Sequence, residues 1–430
     1  MTTQSRRILA WSIYDFGNSA FATTVIAGFF PIFFKEFWSV GVDVTESTFK
    51  LGLANSISGI LVVLLAPVLG AIADKGGAKK RFLAAFAAMG CAMTVSLFFV
   101  GEGNWVLAAA FFIAGTVGFS GGNAFYDSLI MDVTGEDKVD LVSALGYSLG
   151  YLGGGILFAL NVFMVLKPEF FGLIDKTQAV RVSFLTVGLW WAVFTVPLLL
   201  FVKETKPGQV ESWAHTIKGG IGQLADTFRR IRHLKVVSLF LLGYWFYIDG
   251  VHTVIRMAVD YGMSIGLDSN RLILALLVVQ FVGFPAAIVF GKMGQKLGAK
   301  TGIYIGIAVY ILMTVWAYYL DSEAEFFGMA VAIGLVQGGI QSLSRSFYTR
   351  IIPEGQSAEF FGFYNMVGKF AAVLGPFLMG WMALATGDPR KGIFSITILL
   401  LLGGVFLFFV DEGKGREMAI TLEKNAERRM

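Results

Sequence analysis

The chain has 430 residues, 56% of them hydrophobic and only 15% charged, with a mean hydropathy of +0.70. That is too apolar for a soluble domain of this length, and a single cysteine, Cys91, excludes a disulfide framework and a cysteine metal site. The formal net charge of +4 excludes little until it is distributed over the loops.

Apolar runs of about 20 residues, each enough to cross a hydrocarbon layer of about 30 Å as a helix, recur along the whole chain. Twelve are predicted, at 8–37, 48–73, 82–101, 104–132, 139–166, 180–202, 236–264, 270–294, 301–320, 326–350, 357–386 and 391–410. Backbone groups cannot stay unpaired in lipid, and the alternating pattern of a membrane barrel is absent, so the expected fold is an all-α membrane bundle. The first run follows "SRR" at residues 5–7 but is too long for a signal peptide and contains Asp15. With the amino terminus inside, the inner segments collect most of the lysine and arginine, which places both termini in the cytoplasm.

Span one opens with "WSIYDFGNSAF", where Asp15 and Asn18 interrupt an apolar helix. Between spans two and three lies "GAIADKGGAKKR", containing Gly70, Asp74 and Gly77, then Lys79, Lys80 and Arg81. Asp74 at a helix end can face the partial positive charge of a neighbouring helix amino terminus, and the basic residues can anchor the loop at the inner leaflet. Span four ends in "NAFYDSLIMD", with Tyr126, Asp127 and Asp132. Span five carries "GYSLGYLGGG", whose Gly146, Gly150 and Gly154 form a small-residue stripe suited to close helix packing.

The segment 203–235 is basic, has apolar residues at roughly helical spacing, and is read as a cytoplasmic linker with an amphipathic helix on the inner leaflet. No nucleic-acid partner is called for, because an anionic membrane surface accounts for its charge. It divides the chain into an amino-terminal half at 1–202 and a carboxyl-terminal half at 236–411, with a cytoplasmic tail at 412–430. The halves echo one another. Trp11, Asp15, Asn18 and Ser19 align with Trp245, Asp249, His252 and Thr253, and "GKMGQKLGAKTG" repeats the first loop with Gln295 at the position of Asp74. Asp127 aligns with Arg345. Two six-helix halves related by an axis along the membrane normal place a substrate site between them near the midplane.

"GAIADKGGAKKR" resembles the loop signature of the major facilitator superfamily. "YDFGNSAF", "SALGYSLGYLGGG", "QGGIQSLSRSFY" and "EFFGFYNMVGKFAAVLGP" together resemble its vacuole-effluxer-like, or unknown major facilitator, branch. The resemblance implies a twelve-helix major facilitator fold with two pseudo-symmetric halves. Fungal members of that branch are implicated in amino-acid release from the vacuole, so an amino acid is the substrate class it implies. A bacterial inner membrane is the expected location.

An ionised side chain at the bilayer centre costs about 2.5–3.5 kcal/mol on insertion scales, so each needs a partner or a wet cavity. The candidates are Asp15, Asp127, Asp249, His252, Arg256, Arg345 and Lys369. By depth, Asp15 and Asp127 share one level, roughly 12 Å from the inner end. Either can take a proton or a sodium ion, and Asp249 with Arg345 has the composition of a plain ion pair. Arg256 or Lys369 opposite Asp15 and Asn18 would suit a zwitterion. Tyr14, Tyr126, Tyr147 and Asn365 flank these charges and can stack on or hydrogen-bond a ligand, while Pro376 is expected to bend span eleven and to take part in gating. No metal-ligand spacing is present, and "GQKLGAKT" has one residue too many for a phosphate loop and no strand before it, so no cofactor is expected.

The reading is a secondary transporter for a small polar organic solute such as an amino acid, working as a monomer by alternating access. A cation-coupled sugar symporter is the second transporter reading. A membrane-bound enzyme or a receptor without transport is the reading from a different class.

Overall fold

The computed structural model describes residues 3–42, 50, 54, 57–62, 64–65, 78–204, 234–353, 357–386 and 388–427. Every long element among them is a helix, and ten are long and apolar enough to cross a membrane. Span one begins as Thr3–Ala20 and continues through wider, π-type turns to Trp38. Span three is Lys79–Ser96, span four Trp105–Ser128, span five Val139–Leu166 and span six Lys176–Phe201. Spans seven to ten are Lys235–Ser264, Ser269–Leu297, Ala299–Tyr318 and Glu323–Ile351. Spans eleven and twelve are Ser357–Thr386 and Pro389–Phe408, and a tail helix occupies Glu412–Glu427. Most of the predicted second span, Gly70, Asp74, Gly77 and the predicted linker helix lie outside the described residues.

The helix ends obey local chemistry. Asp175, Asp268 and Asp388 accept backbone N–H bonds at the starts of spans six, eight and twelve, and Ser322 with Glu325 forms a reciprocal capping box at span ten. Gly298, at φ +86°, makes the left-handed turn that lets span nine start directly after span eight.

The two halves use one packing plan. Span one packs on spans five and six as span seven packs on eleven and twelve, and span three packs on four and six as span nine packs on ten and twelve. Between halves, span five lies along span eight, and the contact of span four with eleven is matched by that of ten with five. Both described chain ends lie at one end of the bundle: Arg6 stacks on Phe201 at the end of span six, and the tail helix packs on spans seven and ten.

The glycine stripe of span five explains how closely spans one and five approach. A Cβ on Gly150 would sit 2.6 Å from Ser19 Oγ, one on Gly153 would run into the Phe16 backbone, and one on Gly154 would sit 3.3 Å from the Ser19 carbonyl oxygen. Span eleven meets span seven in the same way. The N–H of Gly375 donates to both carboxylate oxygens of Asp249 at 3.0 Å, and the helix continues through the neighbouring Pro376.

Candidate functional site

The centre of the molecule is a polar cluster held by spans one, four, five, ten and eleven. Arg345 on span ten is 2% exposed, and its three guanidinium nitrogens are all engaged. Nη1 donates to Asp127 Oδ1 at 2.9 Å, Nε to Ser143 Oγ at 2.9 Å, and Nη2 to the Ser143 carbonyl at 2.7 Å. Three aromatic rings surround the guanidinium carbon, with centroids at 4.9 Å for Trp11, 5.5 Å for Tyr126 and 4.5 Å for Tyr147. The other Asp127 oxygen accepts from Asn365 of span eleven at 3.1 Å. Asp127 of the first half is therefore tied to two helices of the second.

This corrects one expectation. Arg345 does not pair with Asp249 inside its own half; it crosses to Asp127. Asp249, 1% exposed, instead accepts the Gly375 N–H and the Thr253 hydroxyl. The physical reason is the approach of spans seven and eleven, which aims a backbone donor at that carboxylate and leaves the arginine free to face the seam between halves.

Asp15 lies beside the pair and interacts electrostatically with both Asp127 and Arg345, as the shared depth predicts. Its carboxylate accepts from Ser19 Oγ at 3.1 Å, with Gly150 packed against it. Asn18 does not share this position. It is 1% exposed and donates to Asn123 Oδ1 at 2.5 Å, tying span one to span four. The two positions lie three residues apart, about 60° from each other around the helix, and over that angle one meets Asn123 of span four and the other Gly150 of span five. Tyr14 is buried against Tyr126, with ring centroids 5.0 Å apart.

His252 follows Asp249 by three residues on span seven and is partly buried. Arg256 on that span, and Lys369 and Pro376 on span eleven, have side chains outside the described set. Sequence reasoning missed Ser143, which holds Arg345 with both its hydroxyl and its carbonyl; a serine within "VSALGYS" carries no distinguishing signal. It also missed Trp11 as a wall of the site, although the match of Trp11 to Trp245 was visible.

A second polar group closes the end that carries the chain termini. Lys79 Nζ lies 3.2 Å from Asp132 Oδ2 and donates to Ser357 Oγ of the other half at 2.7 Å. Asp140, completely buried, accepts from Ser346 Oγ and from Arg350 Nη2, both at 2.6 Å. Arg416 of the tail helix reaches Glu136 at 3.3 Å. Lys80 donates from Nζ to the Val202 carbonyl at 2.6 Å and from its backbone N–H to Glu204 at 2.8 Å. Lys79 and Lys80 thus turn into the protein rather than toward lipid, because carboxylate and carbonyl acceptors lie within reach; Arg81 remains exposed.

This architecture is that of the major facilitator transporters. A proton:xylose symporter, XylE, superposes with a TM-score of 0.69 at 13% identity over 96% of both chains. A bacterial homologue of the iron transporter ferroportin in an outward-facing state gives 0.66 at 14% identity, over 95% of this chain and 99% of that one. In sequence, the chain matches the description "Vacuole effluxer Atg22 like" over residues 38–139 and 131–420, and it belongs to that family. The MFS-type transporter YxiO of Bacillus subtilis is 38% identical over 405 residues, 94% of each chain. Autophagy-related protein 22 of Saccharomyces cerevisiae is 23% identical over 98% of this chain and 95% of its own. The protein is thus a multi-pass membrane transporter and not an enzyme.

Proposed function

We propose that the protein is a secondary transporter of a small zwitterionic solute, with amino acids as the substrate class, and that Asp127 and Arg345 are its binding pair. The observation that carries this reading is an ion pair joining the two halves inside the bilayer. An amino acid presents the same two groups in complementary form. Its carboxylate can replace Asp127 on the planar fork of Arg345, and its ammonium can take Asp127 with Asn365. Each exchange trades one buried ion pair for another, so the halves can separate without leaving a lone charge in low dielectric. Trp11, Tyr126 and Tyr147 would wall the solute, and the termini would face the cytoplasm.

The test is thermal unfolding of the purified protein with each proteinogenic amino acid and, in parallel, with a panel of monosaccharides. A ligand of the folded state at about 100 times its Kd adds about 2.7 kcal/mol of stability. The expected result is stabilisation by one or more amino acids, lost in Asp127→Asn, with saturable counterflow of the same solute in vesicles. The aromatic walls beside two acids also suit a sugar, and stabilisation by monosaccharides alone would overturn the zwitterion reading in favour of a sugar symporter.

A further inference from the structure

The aromatic box around the central guanidinium is built by the opposite half of the molecule. Arg345 belongs to the second half, whereas Trp11, Tyr126 and Tyr147 all belong to the first. First-half contacts hold the box together. Trp11 Nε1 donates to the Tyr126 carbonyl at 2.9 Å, and the two rings stack with centroids 4.3 Å apart and planes 11° apart. Gly146 of span five completes the wall: a Cβ there would lie 2.7 Å from Tyr126 Oη, 3.0 Å from Trp11 Cζ3 and 3.1 Å from Arg345 Nη2. Asp127, also of the first half, lies beside the box. Among the described residues its hydrogen-bond partners are Arg345 and Asn365, both of the second half.

The box lies within about two helical turns of the end that carries the termini, since Arg345 is close to the end of Glu323–Ile351 and Ser143 close to the start of Val139–Leu166. A carrier that rocks open at that end draws span ten away from spans four and five, so Arg345 leaves the rings and the carboxylate together. We propose that the emptied box is a binding site for an organic cation with a methylated ammonium head, reached from the terminal end. This rests on the two-half carrier and not on the amino-acid class of the solute.

The lining selects the class of ligand. Aromatic faces attract a wide, weakly hydrated cation, which the guanidinium now in the box already is. A quaternary ammonium has the same character and asks for no hydrogen-bond acceptor, whereas a primary ammonium carries three donors to satisfy. The acceptors that Arg345 gives up in the first half are the Asp127 carboxylate and the Ser143 hydroxyl and carbonyl, all to one side of the rings. The carboxylate supplies a charge partner and the three rings supply contact on the remaining sides. A small, strongly hydrated ion such as sodium would meet ring faces where it needs oxygen ligands.

The probe is tetramethylammonium chloride, with sodium chloride at equal ionic strength as the reference. In Arg345→Ala the box is empty without any rocking, and tetramethylammonium should raise the melting temperature above its value in sodium. The wild type gives a readout that does not depend on that variant folding. Spin labels at the exposed Lys138 and Lys296 flank the Gln295–Asp137 contact, and a ligand of the emptied box should lengthen their separation in double electron–electron resonance. Introduced into either protein, Tyr147→Phe keeps the ring face and should keep the effect, and Tyr147→Leu should abolish it. A shift in either readout that follows this pattern supports the site. No shift in either readout, an equal shift with sodium, or a shift that survives Tyr147→Leu overturns it. Rescue of Arg345→Ala by guanidinium, with tetramethylammonium inert on both proteins, would show that the rings pack on a hydrogen-bonding fork alone, and the proposal falls. Failure of the amino-acid reading would appear in the solute screen and leave these results standing.

Discussion

At the scale of single residues, the same carboxylate chemistry has different outcomes at the two depths of the molecule. Asp127 and Asp140 are both buried and both meet an arginine of the other half, Arg345 at 2.9 Å and Arg350 at 2.6 Å. Glu204, just past span six, has no such partner: its Oε1 accepts the Lys80 N–H near the start of span three, while Oε2 is buried without a hydrogen bond. Burial raises the pKa of Glu204 above the ordinary glutamate range, and the Lys80 N–H bond offsets only part of that. A carboxyl group that holds its proton more tightly when folded adds stability below its unfolded pKa, and that contribution fades as pH rises through the folded pKa. Thermal unfolding followed from pH 4 upward should therefore show a loss of stability across and just above the ordinary glutamate range that Glu204→Gln lacks. Identical pH profiles for the two proteins would remove Glu204 as its source.

At the scale of elements, the contact between spans one and five positions Asp15. Gly150 sets it, since any side chain there must displace Ser19 or the carboxylate it holds. Overpacking a tight interior contact costs about 1–3 kcal/mol. Gly150→Val should lower the melting temperature and reduce transport more than Gly155→Val, because Gly155 faces Gln280 of span eight at the looser distance of 3.1 Å, clear of the acids. Equal effects on transport at the two positions would show that the stripe serves packing alone. The stripe was legible in sequence because its spacing is a helical period, and so were eleven of the spans, whose apolar runs match the described helices to within a few residues. The partner of Arg345 was not. Charge type and depth place a residue along the membrane normal to about one helical turn, roughly 5 Å, but carry no rotation about the helix axis. Asn18 illustrates the same loss: it lies near Asp15 in sequence, yet it faces span four. The tail helix Glu412–Glu427 escaped because it is polar overall and lacks the long apolar run by which the spans are recognised.

At the scale of the whole molecule, polar contacts between halves gather at the end that carries both termini. Lys79 with Ser357, Asp140 with Ser346 and Arg350, and Gln295 with the Asp137 carbonyl join residues of opposite halves there, and Glu136 of the first half meets Arg416 of the tail helix. A rocking carrier must break this set to open that end, so its strength decides which state is populated. Asp140 is the part whose loss should matter most, because it is fully buried and holds two groups of the second half at 2.6 Å. Removing one partner of a buried pair costs about 3–5 kcal/mol, and a difference of about 5.5 kcal/mol is enough to invert a two-state population from 1:99 to 99:1. Asp140→Asn should therefore move the protein toward conformations open at the terminal end. Spin labels at Lys138 and Lys296, exposed positions that flank the Gln295–Asp137 contact, would read the separation by double electron–electron resonance. The expected outcome is a longer main distance in Asp140→Asn than in the wild type. An unchanged distribution would mean that the packing of span five along span eight, rather than these ion pairs, keeps the end shut.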